Sequence, residues 1–127
     1  MGLAHSPRIV TDGLVLCLDA GNTKSYPGSG TTWTDLSGNG NTGTLTNGVG
    51  YSGDNLGSLS FDGVNDFTST ITGEDFNFGT GDFTIECWVY FNTISTNAIF
   101  ISKYLTWLSN VDFVVRCCRQ PHHIHNL

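Results

Sequence analysis

Positive charge is scarce in this chain. Lys and Arg number five in 127 residues, against eleven Asp and Glu, for a formal net charge of −6. Residues 1–102 hold Arg8 and Lys24 against ten acids, whereas residues 103–127 hold Lys103, Arg116 and Arg119 against Asp112 alone. An acidic body repels a phosphate backbone, so no nucleic-acid partner is expected, and the basic end has too few cations to reverse that. Long apolar runs are missing too. Nothing approaches the roughly 18 continuous apolar residues of a membrane-spanning helix. Residues 1–10 lack the basic start and apolar run of a secretory signal. MGLAHS fits a loose myristoylation pattern at Gly2 and Ser6, but no polybasic patch or second lipid signal supports it. No membrane partner is expected.

Cysteine is sparse as well. Cys17, Cys87, Cys117 and Cys118 form no C-x-x-C pair and allow three disulfide connectivities, none favoured by spacing. The pattern reads as a chain made in a reducing cytosol, with Cys17 and Cys87 as buried free thiols. Charged residues of either sign make up 13% of the chain, roughly half the usual share. Solubility must then come from Ser, Thr, Asn and Gly, while 39% hydrophobic residues place the chain in the globular class. Its length suits one core.

What the chain does have is alternation at period two, the mark of strands. Residues 13–20 (GLVLCLDA) put Leu14, Leu16 and Leu18 on one face. Residues 58–61 (SLSF) point Leu59 and Phe61 one way, and the Thr-rich residues 67–71 suit a strand with one wet face. The strongest strand reading falls on 82–91 (DFTIECWVYF), where Phe83, Ile85, Cys87, Val89 and Phe91 share a face and Trp88 reads as core. Residues 98–102 and 111–115 complete the pattern. A helical stripe is barely present, the nearest being Tyr104, Leu105 and Leu108 within 102–110. Gly-Asn and Gly-Asp pairs punctuate the intervals. These features predict an all-β chain, an antiparallel β-sandwich or jelly roll.

Residues 31–48, TTWTDLSGNGNTGTLTNG, are turn-forming and polar around one tryptophan. They read as a sandwich-end loop followed by a short strand at 42–45. Asp35 and Ser37 are placed to bond local backbone, Asn39-Gly40 and Asn47-Gly48 to reverse the chain, and Trp33 and Leu36 to anchor the loop.

Four phrases occur in order: HSPRIVTDGLVLCLDAGN, KSYPGSGTTWTDLSGNGNTGTLTNG, SLSFDGVNDF and FNFGTGDFTIECWVYF. Together they resemble the amino-terminal part of a concanavalin A-like, laminin-G-like jelly-roll domain of the kind found in virion proteins of tailed phages, especially T4-like phages of marine bacteria. The likeness covers about residues 5–103, which suggests a jelly-roll domain at 1–103 and a divergent segment at 104–127. It implies a sandwich of two curved antiparallel sheets in a non-enzymatic structural or adhesion protein of the virion, such as a capsid decoration, neck or tail-fibre component. The alternative is a carbohydrate-binding lectin domain that recognises cell-surface glycans. Such domains usually run longer, and a shortened sandwich leaves sheet edges and an apolar face open. Self-association into a homo-oligomer, or docking on other virion proteins, is therefore expected.

The resemblance directs attention to particular residues. Lectin-like jelly rolls often hold calcium with Asp, Asn and carbonyl oxygens, which makes Asp62, Asn65 and Asp66 in FDGVNDF the candidate Ca2+ ligands. Asp35 with Asn39 is a second candidate. Against this, Asp62-Gly63 can simply shape a hairpin that Asn65 and Asp66 cap. Candidate sugar-stacking rings are Trp33, Tyr26 and Tyr51, with Tyr104 and Trp107 behind them. Trp33 also reads as a loop anchor. Glucan-cleaving enzymes of this fold resemble E-x-D-x-x-E on one strand. Here Glu74 and Glu86 are the only glutamates, and Asp82 stands at a turn, so no enzyme activity is expected. GTGDF lacks the lysine and helix of a phosphate cradle. CCRQPHHIH, with Cys117, Cys118, His122, His123 and His125, invites a zinc reading. Adjacent cysteines suit tetrahedral ligation poorly, and a solvated tail is the simpler account.

Overall fold

The computed structural model describes residues 9–70, 74–92, 98–105 and 111–119. Seven strands appear in chain order: β1 (Thr32–Trp33), β2 (Gly43–Thr46), β3 (Gly50–Ser52), β4 (Ser58–Ser60), β5 (Phe67–Thr70), β6 (Ala98–Leu105) and β7 (Val111–Arg119). Among the described residues the only helical elements are single 3-10 turns at Asp54–Leu56 and Glu74–Phe76. Every strand pair is antiparallel. Five strands form one sheet in the order β1-β2-β5-β7-β6, and β3 pairs with β4 as a separate hairpin. The chain is all-β, with almost no helix among the described residues.

The centre of the large sheet follows the period-two rule. Gly43 and Leu45 of β2 are buried while Thr44 between them is exposed, and Thr68 and Thr70 of β5 are buried on the matching beat. The register sets Leu45 opposite Thr68 and Gly43 opposite Thr70. Gly43 is small for a reason. A Cβ there would meet Thr68 Cγ2 at 3.0 Å, Leu18 Cδ1 at 3.5 Å and Trp33 Cβ at 3.5 Å. The bare backbone lets the 14–18 segment and the β1 tryptophan close over the sheet. Past β2 the chain reverses at Asn47 (φ 68°) and Gly48 (φ 100°), as the Asn-Gly pair predicts.

Two expected strands are absent. Residues 13–20 belong to no ladder. Their backbone groups are taken instead mainly by side chains of residues 35–41, with one backbone bond besides, Leu36 N–H donating to the Cys17 carbonyl at 2.8 Å. A strand needs a neighbouring backbone, and here side chains fill that role. The second correction concerns 82–91, which forms no strand either, and every residue of it is exposed. Trp88, expected in the core, is fully exposed. Cys87, expected buried, is an exposed free thiol, and Cys17 is a half-buried one. Alternation describes which face a strand can bury; it does not supply the partner that buries it.

Other boundaries move less. The expected strand at 42–45 starts one residue later, and those at 58–61 and 67–71 appear as β4 and β5, residue 71 lying outside the described set. The strands expected at 98–102 and 111–115 run on to Leu105 and Arg119. Residues 102–105 of the weak helical reading therefore sit in β6, and residues 106–110 lie outside the described set. β7 runs between β5 and β6.

Where side-chain burial is described, Tyr26, Leu45 and Phe76 are buried apolar residues. Ser25, Asp35, Asn41, Asp66, Thr68 and Thr70 are buried beside them.

Candidate functional site

Polar residues recur at every second position of DLSGNGN, namely Asp35, Ser37, Asn39 and Asn41, and the structure uses all four as a clamp on residues 14–17. Asp35 Oδ1 accepts from the N–H groups of Cys17 and Ser37, each at 2.9 Å. Its Oδ2 accepts from the Ser37 hydroxyl at 2.6 Å and the Asn41 N–H at 2.9 Å. Asn39 Nδ2 donates to the Leu14 carbonyl at 2.7 Å, and Asn41 Nδ2 to the Val15 carbonyl and to Asp75 Oδ2, both at 3.0 Å. Burial alone raises the Asp35 pKa, but the Ser37 hydroxyl and the three N–H groups outweigh it and hold the carboxyl below its ordinary value. Both carboxylate oxygens are engaged with donors of the protein, so Asp35 with Asn39 is a structural clamp and not an ion cage. Burial first, then the Asp19 and Asp35 charges, push the Cys17 thiol up and leave it a protonated, poor nucleophile.

The three candidate sugar-stacking rings are placed differently from one another. Tyr26 is buried, with its hydroxyl donating to the Gly30 carbonyl at 2.9 Å. Tyr51 leans on it with ring centroids 5.2 Å apart at 59°, and its own ring is exposed beside Gly28. Trp33 is half-buried in β1, and its indole Nε1 is buried without a hydrogen-bond partner. Trp33 and Leu36 thus anchor their loop, and Tyr51 alone of the three candidates shows substantial ring surface. Tyr104 belongs to β6 and Trp107 lies outside the described residues.

Asp62, Asn65 and Asp66 do share one loop. Asp62 Oδ1 accepts from the N–H groups of Val64 at 2.8 Å, Asn65 at 3.2 Å and Asp66 at 3.4 Å. Asp66 Oδ2 accepts from Asp62 N–H at 3.1 Å, and Asn47 Nδ2 donates to the Asn65 carbonyl at 2.7 Å. The Val64 N–H is the main influence that lowers the Asp62 pKa. Calcium needs six to eight oxygens. In this loop one Asp62 oxygen is turned onto three N–H groups, and one oxygen of Asp66 and the Asn65 carbonyl also accept bonds. These bonds make the loop a self-bonded turn.

No grouping of three or more His, Cys, Asp or Glu suited to a metal occurs among the described residues. Cys117 and Cys118 fall in β7, and His122, His123 and His125 lie outside the described residues. No helix among the described residues is long and apolar enough to cross a membrane.

The feature that period-two reasoning misplaced lies on the surface. Phe83, Ile85, Trp88, Val89, Tyr90 and Phe91 are all exposed within one ten-residue segment. It begins where Phe83 stacks on Phe78 at 4.6 Å, and Phe78 meets buried Phe76 edge-on at 6.2 Å, so one end is tied to the core. Contiguous apolar surface of this kind marks a contact site. Its acidic members, Asp82 and Glu86, are exposed too. Comparison with protein-family models, with curated proteins and with solved structures found no match.

Proposed function

We propose that this chain is a non-enzymatic structural or adhesion module with a lectin-like jelly-roll sandwich, carried on a phage particle, and that it works by docking. The observation that carries the reading is the exposed segment 82–91, whose Trp88 and Tyr90 stand almost wholly in solvent. A free catalytic domain has no use for such a surface, whereas an assembled component covers it. The four ordered phrases that resemble virion jelly rolls support the particle. In this reading the five-stranded sheet and the β3–β4 hairpin supply the two layers. The test is mass spectrometry and antibody labelling of purified particles from infected cells. A fixed number of copies per particle is expected, and complete absence from particles overturns the reading.

The exposed ring of Tyr51 beside Tyr26 favours a second reading, a carbohydrate-binding lectin domain that recognises cell-surface glycans. A glycan array separates the two: sugar binding lost in Tyr51→Ala supports the lectin, and a blank array removes it.

A further inference from the structure

We infer that Asn47 is a site of spontaneous deamidation, and that its conversion releases the turn after β2 from the 62–66 loop. The reaction uses groups of this chain and water alone, and it stands apart from the docking role.

An asparagine amide is lost when the backbone nitrogen of the next residue reaches its side-chain carbon, an approach that a glycine at the next position leaves open. Two asparagines of the chain precede glycine, Asn39 and Asn47. Both are exposed, and a Cβ on Gly40 or Gly48 would meet nothing within 4 Å, so neither attacking nitrogen is crowded. At position 47 the Gly48 nitrogen bonds to Asn47 Cγ, the bond from Cγ to Nδ2 breaks, and the Gly48 proton passes through water to the departing ammonia. Water then opens the cyclic imide at either carbonyl and leaves aspartate or isoaspartate.

The two pairs differ in what holds the amide. Asn39 Nδ2 donates to the Leu14 carbonyl at 2.7 Å, the Ser37 hydroxyl at 3.1 Å and the Val15 carbonyl at 3.3 Å. Its own N–H donates to the Ser37 hydroxyl at 3.2 Å. Asn39 Cγ cannot swing onto Gly40 without opening the clamp on residues 14–17. Among the described residues, Asn47 Nδ2 is held by the Asn65 carbonyl alone, at 2.7 Å. With fewer bonds to break, Asn47 should react roughly tenfold faster than Asn39.

The bond that restrains Asn47 is also the one that conversion destroys. Thr46 pairs with Phe67 at the end of the β2–β5 ladder, and Asn47 ties the chain leaving β2 to the loop entering β5. A carboxylate at position 47 turns an acceptor towards the Asn65 carbonyl and brings further negative charge to the loop of Asp62 and Asp66. Isoaspartate also lengthens the main chain at a left-handed reversal, where Asn47 has φ 68° and Gly48 φ 100°. The turn that loosens is the one in which Asp62 Oδ1 holds the N–H groups of Val64 at 2.8 Å and Asn65 at 3.2 Å.

The test ages the full chain at mildly alkaline pH, where the attacking nitrogen loses its proton more readily, both folded and in urea. Chymotryptic cleavage after Leu36, Leu45 and Tyr51 puts the two Asn-Gly pairs on separate peptides. Mass spectrometry and isoaspartyl methyltransferase labelling then read each peptide. In the folded chain, deamidation and isoaspartate should accumulate at position 47 roughly tenfold faster than at position 39, and in urea the two rates should converge. Asn47→Gln should abolish the product, because its longer side chain would have to close a larger ring. Asn47→Asp, which carries the charge of one product, should speed hydrogen exchange at the Val64 and Asn65 N–H groups several-fold. Equal rates at the two positions in the folded chain, a faster reaction at position 39, or a difference that persists in urea each overturns the inference. Unchanged exchange in Asn47→Asp overturns the release of the loop.

Discussion

Asp35 shows how a single side chain can replace a strand ladder. Four donors converge on its two oxygens, three of them backbone N–H groups from residues 17, 37 and 41, so one carboxylate joins segments that would otherwise need a sheet between them. Asp35→Asn keeps the shape but turns an amide N–H towards the Asn41 N–H. The loss of charge-assisted bonds should lower stability by about 2–4 kcal/mol in denaturant titration. The pH dependence has a definite sign. The folded carboxyl titrates below the ordinary 3.8, so its contribution is complete above that value and disappears as pH falls through the folded pKa. Acid unfolding followed by circular dichroism should therefore be steeper in the unaltered chain than in Asp35→Asn between about pH 4 and pH 2. Asp62, lowered mainly by the Val64 N–H, acts in the same direction. Trp33 makes the opposite case: its buried Nε1 lacks a partner. Trp33→Phe removes an unsatisfied donor along with some packing, and should shift stability by less than about 1 kcal/mol where Trp33→Ala loses about 3.

At the scale of elements, the β3–β4 hairpin is fixed to the rest by backbone contact. A Cβ on Gly57 would meet the Ala20 carbonyl oxygen at 2.6 Å, and one on Gly21 would run into the Leu56 carbonyl. Gly57 also has φ 96°. Gly57→Ala should cost about 2–3 kcal/mol, from strain and clash together, and thermal melting would register it as a lowered midpoint. Strands β2, β4 and β5 were legible beforehand, whereas the short β1 and β3 carried no signal of their own. Thr-rich β5, SLS in β4 and the NG reversal after β2 each carry their signal in a few local residues. Residues 13–20 and 82–91 carry the same alternation and form no strand. In the first case the missing knowledge was that Asp35, Ser37, Asn39 and Asn41 would reach back some twenty residues to occupy the backbone groups. The polar spacing of DLSGNGN was visible, and its target was not. Asp62, Asn65 and Asp66 share one loop, but sequence could not show that an oxygen of Asp62 and one of Asp66 accept from its backbone N–H groups.

At the scale of the molecule, one segment stands out among the described residues: Trp88 and Tyr90 are almost wholly in solvent, while Tyr26, Leu45 and Phe76 are buried. The self-association expected from the sequence predicts a stability that depends on concentration, because association adds RT ln(1 + [L]/Kd) to the folded state. Trp88→Ser separates the two contributions. In a dilute sample, where monomers dominate, removing a fully exposed ring should change stability by less than about 0.5 kcal/mol, against the 3–5 kcal/mol typical of a truncated core tryptophan. At high concentration the unaltered chain should melt several degrees higher than when dilute, while Trp88→Ser should melt at the same temperature throughout, since about 1 kcal/mol moves a domain of this size by roughly 3–6 °C. A large loss in the dilute sample would place Trp88 inside the monomer. A small loss joined to a flat concentration series in the variant alone places it where two chains meet.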